Sequence, residues 1–369
     1  MYRGSTTSHL TTNGSRRLRT IVLALACCLV TGATGAQQAG GAQQAGGAQQ
    51  GAGGSSPLRV VATVGMIGDV ASEVGGDCVA VDVLMGPGSD PHLYRASAGD
   101  ITALRNARLI LFGGLGLEGQ LGQVLAGLSG SIRSVAVSEL AVEEDRRLAS
   151  TVGYAYDPHV WLDVAQWADA ALVIGSALAE DPAMSAECAA AIRERADAYH
   201  LLLDELDDWA RRSLATVPEA TRVLVTAHDA FEYFGRAYGI DVVGVQGIST
   251  ETEAAVADIR RVADLVVERG LPTVFVESTI NPRTLQAVID GVRQRGGTVG
   301  LGSQLYADSL GAAGTPHGTY VGMVLHDVSV ITSELGGSVP GLPDSASTWL
   351  STWYPDGDPV LRLASAGER

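Results

Sequence analysis

Short apolar, β-branched runs alternate with amphipathic stretches along most of the chain. Four such runs lie in the first half and four in the second, at residues 59–64, 79–84, 109–112, 134–137, 222–226, 241–245, 273–276 and 298–301. Helical patterns follow them near Ile67, Ala98, Glu118, Val164, Phe231, Thr252, Thr284 and Thr319. Strands that alternate with helices form parallel sheets covered on both faces. The pattern predicts an α/β fold of two lobes, each a four-stranded, mainly parallel sheet flanked by helices.

One long helix is predicted between the lobes. Asp181 and Pro182 offer an N-cap and a first-turn proline, and no Gly or Pro follows before Val217-Pro218. Apolar residues recur there at spacings of three and four, which predicts one buried face. We expect a first lobe at 57–180, a rigid connecting helix at 181–217 and a second lobe at 218–335. The Gly-, Pro- and Ser-rich stretch 336–369 is predicted to be an irregular tail.

The N-terminal region has the pattern of an export signal. Three Arg precede an apolar run at 21–30, and small residues follow up to Ala36. The run is about half the ~20 residues that a spanning helix needs. We expect a signal peptide at 1–36 and a low-complexity linker at 37–56, where Ala, Gln and Gly repeat. The predicted location is the periplasm, with lipid anchoring through Cys27 or Cys28 as the less favoured alternative.

Composition removes several classes of function. All 25 basic residues are Arg, so a phosphate-binding lysine and a Schiff-base lysine are both excluded. The formal net charge of −16 opposes binding to nucleic acid and favours attraction of a cation.

Four side chains are candidate metal ligands. The tripeptide Asp-Pro-His occurs twice, ending at His92 and at His159, although the chain has only seven His. Proline restricts the backbone of each loop, and the Asp can support the His. His228 follows a predicted strand directly, and Asp308 lies beyond the last one. Because ligands bind at the carboxyl ends of parallel strands, we expect these four side chains to converge.

The remaining polar candidates have more ordinary explanations. Glu277 follows a predicted strand and is a fifth possible ligand, but a structural or helix-capping carboxylate is the favoured interpretation. Asp229 is expected to support His228 or to cap a helix. Ser97 with Asp100 resembles a capping box, and Asp163 a plain N-cap. Three other His residues are expected to be structural or to lie on the surface: His200, His317 and His326. His9 precedes the predicted cleavage point.

The motifs together resemble the TroA-like family of zinc- and manganese-binding solute-binding proteins of ABC transporters. The resemblance covers roughly residues 58–335 and rests on four motifs in order: Leu84 to Tyr94, Asp157 to Trp161, Val225 to Phe231, and Asp308 to Gly311 with Gly318 to Tyr320. It implies His92 and His159 as ligands from the first lobe and His228 and Asp308 from the second. Some relatives carry Glu at the third position. Zinc-dedicated relatives often carry a His-rich loop before the second Asp-Pro-His, and 141–156 contains no His.

The expected function is capture of a divalent metal ion and its delivery to a membrane permease of an ABC transporter. Zinc is the first choice and manganese the second, because three imidazoles and one carboxylate suit zinc. We expect a monomer that binds no nucleic acid and is not an enzyme. A zinc hydrolase and an adhesion lipoprotein with a structural metal are the alternatives. Cys78 and Cys188 are predicted to stay unpaired, since nothing in the sequence indicates a disulfide framework.

Overall fold

The computed structural model describes residues 56–150 and 154–353. The predicted signal peptide, nearly all of the predicted linker and both candidate lipidation sites lie outside these residues. Within the described ranges, none of the helices combines the length and the apolar character that a membrane span requires.

The first lobe is built on a four-stranded parallel sheet with strand order β2-β1-β3-β4. Its strands are β1 (Leu58–Val64), β2 (Val79–Met85), β3 (Leu109–Phe112) and β4 (Arg133–Ala136). Its helices are α1 (Gly65–Gly75), α2 (Ala98–Asn106), α3 (Gly119–Leu128), α4 (Val137–Ala141) and α5 (Val164–Ala179). The predicted caps are present, because Ser97 and Asp100 form a capping box and Asp163 accepts from the Gln166 amide. Each predicted strand of this lobe is confirmed to within one residue.

The second lobe also consists of parallel strands between helices, but its sheet is less continuous than predicted. Its strands are β5 (Val223–His228), β6 (Asp241–Gln246), β7 (Thr273–Val274) and β8 (Gly300–Leu301), which form two separate pairs, β5-β6 and β7-β8. A single parallel bridge between Thr226 and Phe275 links the pairs. The prediction of longer third and fourth strands was wrong, because pairing beyond β7 shifts to Leu305, whose amide donates to Val276 O at 2.8 Å.

The long helix begins later than the sequence indicates. This helix, α6, follows α5 and runs from Ala186 to Leu214. Its N-cap is Ser185, whose hydroxyl accepts from the Cys188 amide. Asp181 instead closes a turn and accepts from Arg108 Nε at 3.1 Å. The helix packs against α1 and α5 of the first lobe and against α10 (Tyr320–Glu334) of the second. It is therefore a continuous strut along both lobes, as predicted.

The remaining helices are α7 (Glu232–Tyr238), α8 (Val256–Arg269), α9 (Arg283–Gln294) and α11 (Asp344–Trp353). The expectation of an irregular tail was therefore wrong for 344–353. The helix forms because α11 packs on α6 and buries the Leu350 side chain.

The prediction of unpaired cysteines was also wrong. Cys78 and Cys188 form a disulfide with a Cα–Cα distance of 5.9 Å. They meet because α6 packs beside the end of α1, where the Arg195 side chain donates to Val74 O at 2.7 Å and to Gly75 O at 2.6 Å. A separation of 110 residues hid this proximity from sequence reasoning.

Candidate metal centre

The four candidate ligands come from four connections at the carboxyl ends of the strands. His92 lies between β2 and α2, and His159 lies just before α5. His228 is the last residue of β5, and Asp308 lies between β8 and α10. Each lobe therefore supplies two of the four candidate ligands.

Each Asp-Pro-His loop is fixed by its own aspartate. Asp90 Oδ1 accepts from the His92 amide at 2.9 Å, and Asp157 Oδ1 accepts from the His159 amide at 3.0 Å. The His92 loop is also packed against the start of α3. A Cβ on Gly119 would lie 2.5 Å from the His92 carbonyl oxygen, so only glycine permits this approach.

The potential ligand atoms of these side chains all lie within 4.8 Å of one another. His92 Nε2 is 3.2 Å from His159 Nε2, and Asp308 Oδ1 is 3.3 Å from His159 Nε2. Asp308 Oδ2 is 3.3 Å from His228 Nε2 and 3.8 Å from His92 Nε2. Tetrahedral ligands at about 2.0–2.1 Å from a zinc ion lie roughly 3.3–3.4 Å apart. The spacing therefore fits one small cation at the centre.

The site is closed to solvent and has polar atoms that lack partners. His92, His159 and His228 have no exposed surface, and Asp308 is 1% exposed. Both Asp308 carboxylate oxygens and His228 Nε2 are buried without a hydrogen bond from any described residue. Because buried polar atoms are normally paired, these atoms fit a metal ion.

Two carboxylates outside the cluster set the proton positions on the imidazoles. Asp157 Oδ1 lies 2.7 Å from His159 Nδ1, and Glu277 Oε2 ion-pairs with His228 Nδ1. Glu277 Oε1 also accepts from the His228 amide at 2.8 Å. A proton held on Nδ1 leaves Nε2 with a lone pair directed at the centre. The favoured interpretation of Glu277 as a structural carboxylate agrees with this geometry.

The pKa values show how the buried charges balance. Burial alone would raise the pKa of Asp308, but His228 and His159 hold it well below its usual value. Burial opposes protonation of His159, yet Asp157 and Asp308 raise its pKa to about 9. Burial lowers the pKa of His92 to about 3. Burial also opposes protonation of His228, but Glu277 and Asp308 raise its pKa well above its usual value. Without a metal, protonated His159 and His228 therefore balance the Asp308 charge, and a bound cation would take the place of the protons on the nitrogens that face it.

The other residues singled out in the sequence lie outside this cluster. His200 pairs with Asp169 and Asp204 on the surface of α5 and α6. His326 contacts Gln304 O, and His317 stacks on the ring of Tyr306. Asp229 does not cap α7, whose N-cap is Phe231. Burial raises the pKa of Asp229 and raises that of nearby Glu232 to about 7.

Comparison with known proteins places this site in a family. The model of the ZnuA family, described as zinc-uptake complex component A, periplasmic, matches residues 60–334. The chain belongs to the ZnuA family. Members of this family are solute-binding proteins for metal transport and not enzymes, so the hydrolase alternative is not favoured.

Individual relatives are similar to this chain along most of their length. The manganese-binding lipoprotein MntA of Bacillus subtilis is 41% identical over 75% of this chain and 90% of its own length. The zinc-binding protein TroA of Treponema pallidum is 44% identical over 75% of this chain and 88% of its own length. The solved structure of the periplasmic zinc-binding TroA superposes with a TM-score of 0.73, at 43% identity, over 76% of this chain and 99% of that one. The two-lobe α/β fold is thereby confirmed.

Proposed function

We propose that the chain captures one divalent transition-metal ion between its lobes and delivers it to the permease of an ABC transporter. Zinc is the first choice and manganese the second. The observation that carries the proposal is the convergence of His92, His159, His228 and Asp308 around one point. Membership of the ZnuA family supports transport as the purpose of that site.

The distribution of the ligands favours a transported ion over a structural one. Each lobe supplies two of the four proposed ligands, so a bound ion would join the two lobes directly. A structural zinc site rarely needs ligands that are divided so evenly between two lobes. A catalytic zinc site keeps a position open to water, whereas four side chains here surround a buried centre.

The donor set supports zinc, but the orientation of Asp308 leaves a route to manganese. With one Asp308 oxygen, the site has three nitrogen ligands and one oxygen ligand, which is a common tetrahedral zinc environment. Both Asp308 oxygens lie 3.3 Å from an imidazole nitrogen of the cluster. A bidentate Asp308 would supply a fifth ligand and the oxygen-richer shell that manganese prefers. The same two metals appear in the names of the relatives: MntA is called manganese-binding and TroA zinc-binding.

The proposed cellular setting follows from the predicted export signal. We propose a monomer in the periplasm, with an anchor at Cys27 or Cys28 as the alternative. The formal net charge of −16 makes attraction of a cation more favourable than of an anion.

Competition titration with a chelator tests the site. Alanine at each of the four ligands removes one metal bond, so we expect metal affinity to fall at least tenfold in every variant. Matched controls replace His residues outside the cluster and should leave the affinity within about twofold: His200→Ala, His317→Ala and His326→Ala. Wild-type affinity in His159→Ala would remove the second Asp-Pro-His motif from the site.

A further inference from the structure

One carboxylate joins a metal-ligand loop of the first lobe to the second lobe. Asp90 Oδ1 accepts from the His92 amide at 2.9 Å, and its other oxygen, Oδ2, accepts from the Thr250 hydroxyl at 2.6 Å. Thr250 belongs to the segment 247–255 between β6 and α8, which we call the β6–α8 loop. The position of His92 and the position of this loop are therefore linked through Asp90.

The loop has a second attachment, beside another ligand. Gln246, the last residue of β6, pairs in register with His228. Its side-chain amide donates to Thr250 O at 3.2 Å and to Thr252 O at 2.6 Å. Thr250 is only 7% exposed, whereas Glu251 and Thr252 are exposed. The Thr250 hydroxyl is thus held towards Asp90 and away from solvent.

The β6–α8 loop also lines a groove that two neighbours of His92 share, Gly119 and Tyr154. This groove has a volume of about 660 Å³, and Gln123 lines it as well. The Tyr154 ring centroid is 6.2 Å from that of His92. Both the loop and a ring beside His92 therefore line the same groove.

We propose that Thr250 is a positioning residue that retains the bound metal by tying the β6–α8 loop to Asp90 when the cleft is closed. This inference rests on the proposed function. The hydrogen bond joins the two lobes, so any movement that draws Thr250 away from Asp90 breaks it. Its removal therefore speeds dissociation and leaves association nearly unchanged.

Stopped-flow kinetics on the full chain, with Zn²⁺ or Mn²⁺ alone as the probe and a chelator to trap released metal, tests the proposal. Thr250→Val keeps the shape of the side chain and removes the hydroxyl, and Thr250→Ala removes it in a second way. Both should raise the dissociation rate about tenfold, equivalent to ~1.4 kcal/mol. Thr250→Ser keeps the hydroxyl and should restore a rate close to the wild-type value. Thr252→Val is the matched control, because it alters an exposed neighbour.

The outcomes separate this proposal from the proposed function. If wild-type protein binds metal and His159→Ala does not, the function stands. Dissociation rates within twofold of wild type in both hydroxyl-free variants would then overturn the role of Thr250 alone. A lowered melting temperature of the metal-free Thr250→Val protein, with no rescue by serine, would show a merely structural role and overturn it as well. Failure of the wild type to bind either metal would reject both proposals.

Discussion

Replacement of Glu277 by glutamine should weaken metal binding through the tautomer of His228. The two Glu277 oxygens face two different donors, the His228 amide at 2.8 Å and the His228 ring nitrogen Nδ1. Glutamine has only one side-chain acceptor. Because the backbone amide cannot lose its proton, the glutamine oxygen should turn to it, and the glutamine NH₂ then faces Nδ1. Nδ1 must now accept, so the imidazole proton moves to Nε2 and blocks the lone pair that would bind the metal.

The matched variant is Asp157→Asn. Asp157 uses a single oxygen, Oδ1, for both the His159 amide at 3.0 Å and His159 Nδ1 at 2.7 Å. Asparagine retains that oxygen and can keep both contacts, so the His159 tautomer is preserved. Loss of an outer partner that fixes a ligand lowers metal affinity about 10–100-fold, or about 1.4–2.8 kcal/mol. We expect that loss for Glu277→Gln and less than about tenfold for Asp157→Asn.

Chelator competition at neutral pH measures both affinities, and thermal melting of the metal-free proteins checks that each variant folds. Both variants remove one negative charge near the site, so charge alone predicts similar losses. An equal or greater loss in Asp157→Asn would refute the argument from acceptor number and leave charge as the dominant effect.

Three further predictions concern selectivity and stability. His228→Glu replaces a nitrogen donor with an oxygen donor, so the ratio of zinc to manganese affinity should fall about tenfold in parallel titrations, and equal weakening of both metals would contradict this. Cys78→Ser should lower the free energy of unfolding by ~2–4 kcal/mol, measured by urea denaturation, since the disulfide closes a long loop; an unchanged value would show that the bond does not stabilise the fold. Burial raises the pKa of Asp69 to about 7, so its neutral form is favoured in the folded state and its contribution to stability is lost as the pH rises from about 4 through 7. Relative to Asp69→Asn, the metal-free wild type should lose ~2 kcal/mol between pH 5 and pH 8 in urea denaturation, and parallel curves would refute the shift.

The sequence was most informative about residues that directly follow a strand, because the order of strands and loops along the chain was enough to place them. His228 follows a run of β-branched residues, and the two Asp-Pro-His loops follow strands whose pattern is regular. Because all strands in a parallel sheet end at the same edge, the position of each residue along the chain was enough to predict that they converge. The starts of helices α2 and α5 were equally predictable, because each capping side chain bonds to a residue only three positions further along the chain.

Features that depend on contacts between distant segments were not predictable in this way. The partners Cys78 and Cys188 are brought together by the packing of α6 beside α1, and neither residue alone shows in the sequence that it has a partner. The same reasoning applies to Asp90, whose hydrogen bond to the His92 amide follows from its own tripeptide, whereas its bond to Thr250 crosses 160 residues. The sequence of a ligand loop thus determines how the ligand is presented, but the opposite lobe determines how firmly that loop is held. For the proposed capture and delivery of an ion, how firmly the loop is held is the property that the tertiary structure has to supply.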